Sequence, residues 1–356
     1  MLAAEGRFDY GGREFPPRFV HRARSVPSKV SRRRRRMSLW VTGGKQRLAF
    51  GSQPEHTLFV SARIAKIDGD EVQNVLDYVT PPEQLATEKK STVFKAATIE
   101  GDKAYLCTET EVLICSFPSF EIQRIISLPC FNDLHHVAPG PDGTLWVAVT
   151  GLDAVAEVSP EGELLQLVDA MGRNVWDKFS KETDYRLVAT TKPHDSHPNY
   201  VFFIDGKPWV TRFHQSDAAC LHEPTKTLPI GNLPLHDGHV DGEHVLFTSV
   251  NGQVIRINHQ SGEKEIFDLN ELSTTPDRPL GWCRGLLPTE EGIWIGFTRI
   301  RYTKLKHNLS WIRHGFSDHA PLPTRVALYD LDEFRLIREV DVEGADQNAV
   351  FSIHEV

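Results

Sequence analysis

Sixteen histidines are spread through this chain of 356 residues, and several fall in patterns that could do chemistry. His135 and His136 are adjacent in LHHVAPGPDGTLWVAV. Two later stretches share one pattern, His194-Asp195-Ser196-His197 and His236-Asp237-Gly238-His239. Neutral imidazoles bind zinc, iron and similar divalent transition metals, and a nearby carboxylate can orient a ring by accepting its other N–H. A turn brings histidines three apart together, whereas a strand sends them to opposite faces. Short matches of this kind also arise by chance in a histidine-rich chain, so the elements that position them decide their meaning.

Those elements are legible in the turns. After residue 45 the chain is a series of short β-branched and aromatic runs split by Asp-Gly and Glu-Gly turns. The unit recurs in VFKAATIEGDKAYLCT, HHVAPGPDGTLWVAV, HPNYVFFIDGKPWVTR, HDGHVDGEHVLFTSV and CRGLLPTEEGIWIGFT. Its turn glycines are Gly101, Gly143, Gly206, Gly242 and Gly292, spaced 42, 63, 36 and 50 residues apart. Third and fourth strands follow several of them, and four strands per 40–50 residues is the period of a β-propeller blade.

The expected fold is therefore all-β, a single propeller over residues 37–356 with six four-stranded blades; five or seven remain alternatives. QNAVFSIHEV at the C-terminus would pair with N-terminal material such as LAFGSQPEHTLFVSA, closing the ring and removing exposed edges. Short helices are expected only near Pro82–Lys90 and Ala170–Lys181. The 63-residue spacing places an insertion at 172–196, and a second runs over 299–324. Long loops of this kind are either functional lids or mobile segments.

In a propeller the first strand of each blade lines the axis, so residues at its start converge. Counting back six to nine residues from each turn glycine gives Lys95, His135 and His136, His197 and Asn199, His236, and Arg284. His354 joins them if the closing strand is innermost. The expected metal ligands are His197, His236, His135 and His354, ranked with His197 and His236 first. His135, His136 and Arg284 are the candidate catalytic residues. Arg284, Asn199, Arg299 and Arg301 are the candidate substrate-binding residues, because arginine binds a carboxylate or phosphate through two N–H bonds. Each of these also has a structural reading, as a hydrogen-bonded strand-start residue or a salt-bridged arginine.

LHHVAPGPDGTLWVAVTGLDAVAEVSPEGELLQL resembles one blade of the streptogramin-lyase and NHL-type propellers. HPN…DGKPWVT, LHDG…DGEHVLFTS and CRGL…EGIWIGFTRIR resemble a group of bacterial propellers with no assigned activity. The likeness spans roughly residues 45–356 and rests on blade punctuation. The lyase resemblance implies a metal-assisted histidine base. The Glu-Gly-Pro opening of the gluconolactonase group is absent, and none of that group's residues is carried over.

Charge narrows the partners. Residues 1–36 hold eleven Lys/Arg, including Arg32 to Arg36, against three acidic residues, while the remainder holds 29 basic and 45 acidic residues. The head could be a nucleic-acid arm or a targeting segment; the favoured expectation is a disordered extension, or sequence upstream of a natural start at Met37. The acidic body lacks the clustered cations that nucleic acid needs. No apolar run approaches a membrane span or a secretory signal. Five cysteines without metal-finger spacing suggest a reducing, cytoplasmic compartment. P-loop, G-x-G-x-x-G, G-x-S-x-G and H-E-x-x-H motifs are absent, so no nucleotide cofactor is expected. The leading expectation is a metal-dependent lyase or hydrolase acting on a small polar or anionic molecule at the axial mouth. The alternatives are a scaffold that binds a protein or peptide partner, and a metabolite-binding module without turnover.

Overall fold

A computed structural model describes residues 37–47, 58–86, 91–300 and 321–355. The strands, in chain order, are β1 (Ser38–Gln46), β2 (Phe59–Asp68) and β3 (Glu71–Tyr78), then β4 (Thr98–Glu100), β5 (Lys103–Cys107), β6 (Val112–Ser116) and β7 (Ile122–Ile126). Next come β8 (Leu134–Pro139), β9 (Leu145–Val149), β10 (Ala154–Val158) and β11 (Leu164–Asp169). β12 (Pro198–Ile204), β13 (Lys207–Arg212), β14 (Asp217–Cys220) and β15 (Glu223–Pro229) follow. β16 (Leu235–Asp241), β17 (His244–Ser249), β18 (Gln253–Asn258) and β19 (Lys264–Asp268) precede β20 (Trp282–Thr289), β21 (Gly292–Thr298), β22 (Arg325–Asp330) and β23 (Arg335–Asp341). The last strand is β24 (Val350–Glu355).

These strands form six four-stranded antiparallel sheets, and β24 completes the first blade in the order β24-β1-β2-β3. The fold is a six-bladed propeller closed by its terminal strands. The strand bonded to β24 is β1, SLWVTGGKQ, rather than the LAFGSQPEHTLFVSA stretch, whose FVSA enters β2 one place further out. Where they are described, the expected helices show single 3-10 turns, Pro82–Gln84 and Val175–Asp177; residues 87–90 lie outside the described residues. Each has a proline or short polar residue at its start and too few periodic apolar positions to extend.

All five turn glycines, Gly101, Gly143, Gly206, Gly242 and Gly292, have positive φ, the backbone region that hairpin turns require. The core lies between blades. Leu39, Val41 and Ile67 of the first blade pack against Trp294, Val326, Leu328 and Val340 of the sixth, so burying one blade's face depends on its neighbour. All five cysteines are buried and unbridged. No helix among the described residues is long and apolar enough to cross a membrane.

Candidate functional site

β4, β8, β12, β16, β20 and β24 are the innermost strands of their blades and face one another around the axis. They enter at one mouth, where the loops between second and third strands also lie. Five of the six carry an irregularity in their pairing with the second strand. The skipped residues are His135, Asn199, Asp237-Gly238, Gly285 and Phe351. A bulge of this kind breaks simple alternation and re-aims side chains.

His135, His197 and His236, from three successive blades, gather at this mouth. The His135 ring lies 5.0 Å from His197 and 6.3 Å from His236, centroid to centroid. His194 lies 5.1 Å and His214 5.8 Å from His197. Burial deepens along the series: His214 is exposed, His194 and His197 are half-buried, His135 is 5% and His236 2% exposed. Removal from water disfavours the imidazolium form. It drives the His197 pKa down to about 3, with Asp133 opposing the shift. Burial likewise lowers His135 and His236, with Lys95 adding to the shift of each and Arg284 to that of His236. These rings are neutral at pH 7.

Neutral rings with known partners have fixed tautomers. His135 Nδ1 is 2.8 Å from the Asp133 carbonyl, which only accepts, so Nδ1 carries the proton. The Thr191 hydroxyl donates to the Gly151 carbonyl and therefore accepts from His194 Nε2. His194 Nδ1 then accepts, at 2.9 Å, from His197 Nδ1. His236 Nδ1 donates to Asp237 Oδ1 at 3.3 Å. All three axial rings thus carry an unprotonated Nε2. That of His236 is buried and has no hydrogen-bond partner.

Asp237 is a well-held carboxylate. Its second oxygen accepts from the Thr248 hydroxyl and, at 2.9 Å, from the Gly285 backbone N–H of the next blade. An unpaired imidazole nitrogen beside a carboxylate-bonded one is the arrangement of a general base. Two cations stand nearby. Lys95 Nζ lies 3.3 Å from Glu109 and 3.4 Å from Asp133, and is 5.2 Å from the Phe351 ring. The Arg284 guanidinium is 4.9 Å from that same ring and 5.7 Å from Trp282.

Other expected residues are placed elsewhere. Both His136 nitrogens are engaged: Nδ1 accepts from Val201 N–H at 3.1 Å and Nε2 faces Thr98 Oγ1 at 3.1 Å, while the ring stacks on Tyr200. Burial brings its pKa to about 3. Asn199 is fully buried and donates to the Leu235 carbonyl at 2.9 Å. Arg299 pairs through two nitrogens with Glu343, which also accepts from Thr324 N–H, and this holds two chain segments together. Arg301 lies outside the described residues. His354 is on an innermost strand but deeper along the axis, with Nε2 2.9 Å from Ser352 Oγ.

As the rings stand, no group of three or more His, Cys, Asp or Glu among the described residues is gathered to hold a metal ion. The donor chemistry suits a metal, since each Nδ1–H is held by a carbonyl, an imidazole or a carboxylate. The distances do not.

Asp153 is the site residue that the repeat pattern does not reveal. Fully buried, it accepts from the backbone N–H groups of Asp195, Ser196 and His197 at 2.8, 2.9 and 3.0 Å and from Lys178 at 3.0 Å. Burial raises this carboxyl and the bonds outweigh it, leaving a pKa of about 2. It fixes the loop that presents His197, whose φ of +54° is unusual for a non-glycine residue.

No protein-family model and no curated protein sequence matches the chain. Among solved structures, a protein of unknown function from Bacteroides caccae is similar at a TM-score of 0.56 and 13% identity, covering 90% of this chain and 99% of that one. The nidogen/laminin complex gives 0.54 at 10% identity, over 90% and 97%. A streptogramin B lyase gives 0.47 at 10% identity, over 87% and 90%. At these identities the first two likenesses show the propeller fold alone.

Proposed function

We propose that the mouth is an active site for a small anionic molecule, with His236 acting as base in a lyase- or hydrolase-type reaction. One observation carries this reading: the buried, unbonded Nε2 of His236 beside an Nδ1 held by Asp237. A base needs an available lone pair and a partner for the positive charge it acquires, and Asp237 is that partner. Arg284 is suited to the anionic part of the substrate. His135 and His197 contribute two more acceptors to the wall.

Three neighbouring rings with free Nε2 lone pairs and held Nδ1–H groups favour a metal-assisted variant as the second reading. His135, His197 and His236 would be the ligands, and a divalent transition metal would act as a Lewis acid there. No step is assigned to it, because the rings are not gathered around one point.

The test is incubation in D2O with a panel of small hydroxy- and amino-carboxylates and phosphate esters, followed by NMR for deuterium uptake and product. His236→Ala is expected to lower turnover by about 10²–10⁴-fold, and Arg284→Gln to raise KM. Turnover indifferent to His236→Ala overturns the reading, as does a panel without hits alongside capture of a protein partner at the mouth. Stoichiometric zinc binding lost in His135→Ala and His197→Ala selects the metal-assisted variant; its absence selects the metal-free one.

A further inference from the structure

Three residues beyond the mouth positions His197, His236 and Phe351, the same innermost strands carry Tyr200, His239 and His354. With Asp237 they line a second axial cavity of about 70 Å³, walled also by Leu286 and Ile353. That is the space of about two waters at roughly 30 Å³ each. No lysine or arginine lines it.

The hydrogen-bonding capacity left in this cavity can be worked out. Thr42 donates to the Lys95 carbonyl at 3.0 Å, so the Ser352 hydroxyl donates to Thr42 Oγ1 at 2.7 Å. Ser352 Oγ then accepts from Ala97 N–H at 3.1 Å and from His354 Nε2–H at 2.9 Å. His354 Nδ1 is left as an acceptor. Neither the Tyr200 hydroxyl nor the ring of His239 forms a hydrogen bond to another described residue. Asp237 accepts three bonds, one fewer than a carboxylate's capacity. The acceptors are therefore His354 Nδ1, Asp237, the Tyr200 oxygen and one His239 nitrogen. The donors are only the Tyr200 O–H and the other His239 nitrogen.

A cavity with more acceptors than donors, a carboxylate, two imidazoles held neutral by burial and no lysine or arginine selects a cation rich in N–H groups. We propose that it binds a small primary ammonium ion, ammonium itself or methylammonium. Such an ion donates three or four hydrogen bonds, which offset its loss of water, and Asp237 supplies the opposite charge. The aliphatic wall excludes bulkier cations. The assignment does not depend on chemistry at the mouth.

Ammonium chloride and methylammonium chloride would be titrated into the full chain, labelled in histidine and tyrosine, at constant ionic strength. Tetramethylammonium chloride serves as a cation of equal charge without N–H groups. Saturable NMR shifts at Tyr200, His239 and His354 are expected with the first two salts only. Tyr200→Phe, which keeps the stack on His136, should weaken binding about tenfold through loss of a charge-assisted bond. His239→Phe should do the same. The titration reads ion binding without turnover, and His135→Gln, at a mouth ring that does not line the cavity, should leave ammonium binding in place, so failure of the mouth reading and failure of this one are separable. Shifts that do not saturate, or that tetramethylammonium reproduces, would overturn the proposal.

Discussion

The chain uses the pattern His-Asp-small-His twice, and the two copies do different work. In His236-Asp237-Gly238-His239 the motif lies within an innermost strand and the aspartate sits in its bulge. Asp237 is 2% exposed and bonds the ring of its own motif. Gly238 permits the close approach of Phe202, since a Cβ there would lie 2.7 Å from its ring. One histidine serves the mouth and the other the deeper cavity. In His194-Asp195-Ser196-His197 the motif lies in the loop before β12. Asp195 points outward to Arg173 and Lys178, and its two histidines bond each other. The carboxylate that holds this copy comes from Asp153, in the preceding blade. The same four letters are read by topology: a buried strand bulge turns the aspartate toward its histidine, and a surface loop turns it to solvent.

The largest contrast should come from the two aspartates. Asp237→Asn places an amide N–H against His236 Nδ1 and favours the wrong tautomer, so turnover should fall by about 10²–10⁴-fold. Equal losses from Asp195→Asn would break the comparison. Asp153→Asn leaves buried N–H groups and Lys178 poorly matched, and should lower stability by about 2–4 kcal/mol in denaturant melts. An effect below the surface-substitution range would show that the loop is held otherwise.

pH gives a smaller, graded effect. The pKa values of His136, His197 and His354, lowered by burial, are about 3, 3 and 4, against 6.5 for the unperturbed ring. The unfolded chain therefore binds more protons below pH 6.5. Stability is intact above that pH and falls as pH drops toward 3, by about 1.4 kcal/mol per pH unit for each such ring. His136→Gln should flatten this slope in thermal melts, and an unchanged slope would contradict the assignment. The smallest effect belongs to Asp195→Asn, whose exposed ion pairs should contribute about 0–1 kcal/mol.

The turn glycines and strand-start histidines carried the architecture, because hairpin φ values and blade period are local properties. The convergence of His135, His197 and His236 follows from ring closure and was legible for the same reason. What His135 and His136 do separately was not, because a one-residue bulge decides it and bulges depend on the partner strand. The Arg299–Glu343 pair spans 44 residues and leaves no local trace. Asp153 was hidden similarly, its bonds reaching 42 to 44 residues ahead. His354 sits on the expected strand, and its depth depends on the register of β24 against β1.

The central claim is that three axial imidazoles present Nε2 lone pairs at one mouth. Nitrogen-15 NMR of the histidine-labelled chain at pH 7, assigned with single histidine substitutions, tests it directly. The account predicts that His135, His197 and His236 are each protonated at Nδ1 and bare at Nε2. An Nε2–H signal or an imidazolium at His236 would contradict it.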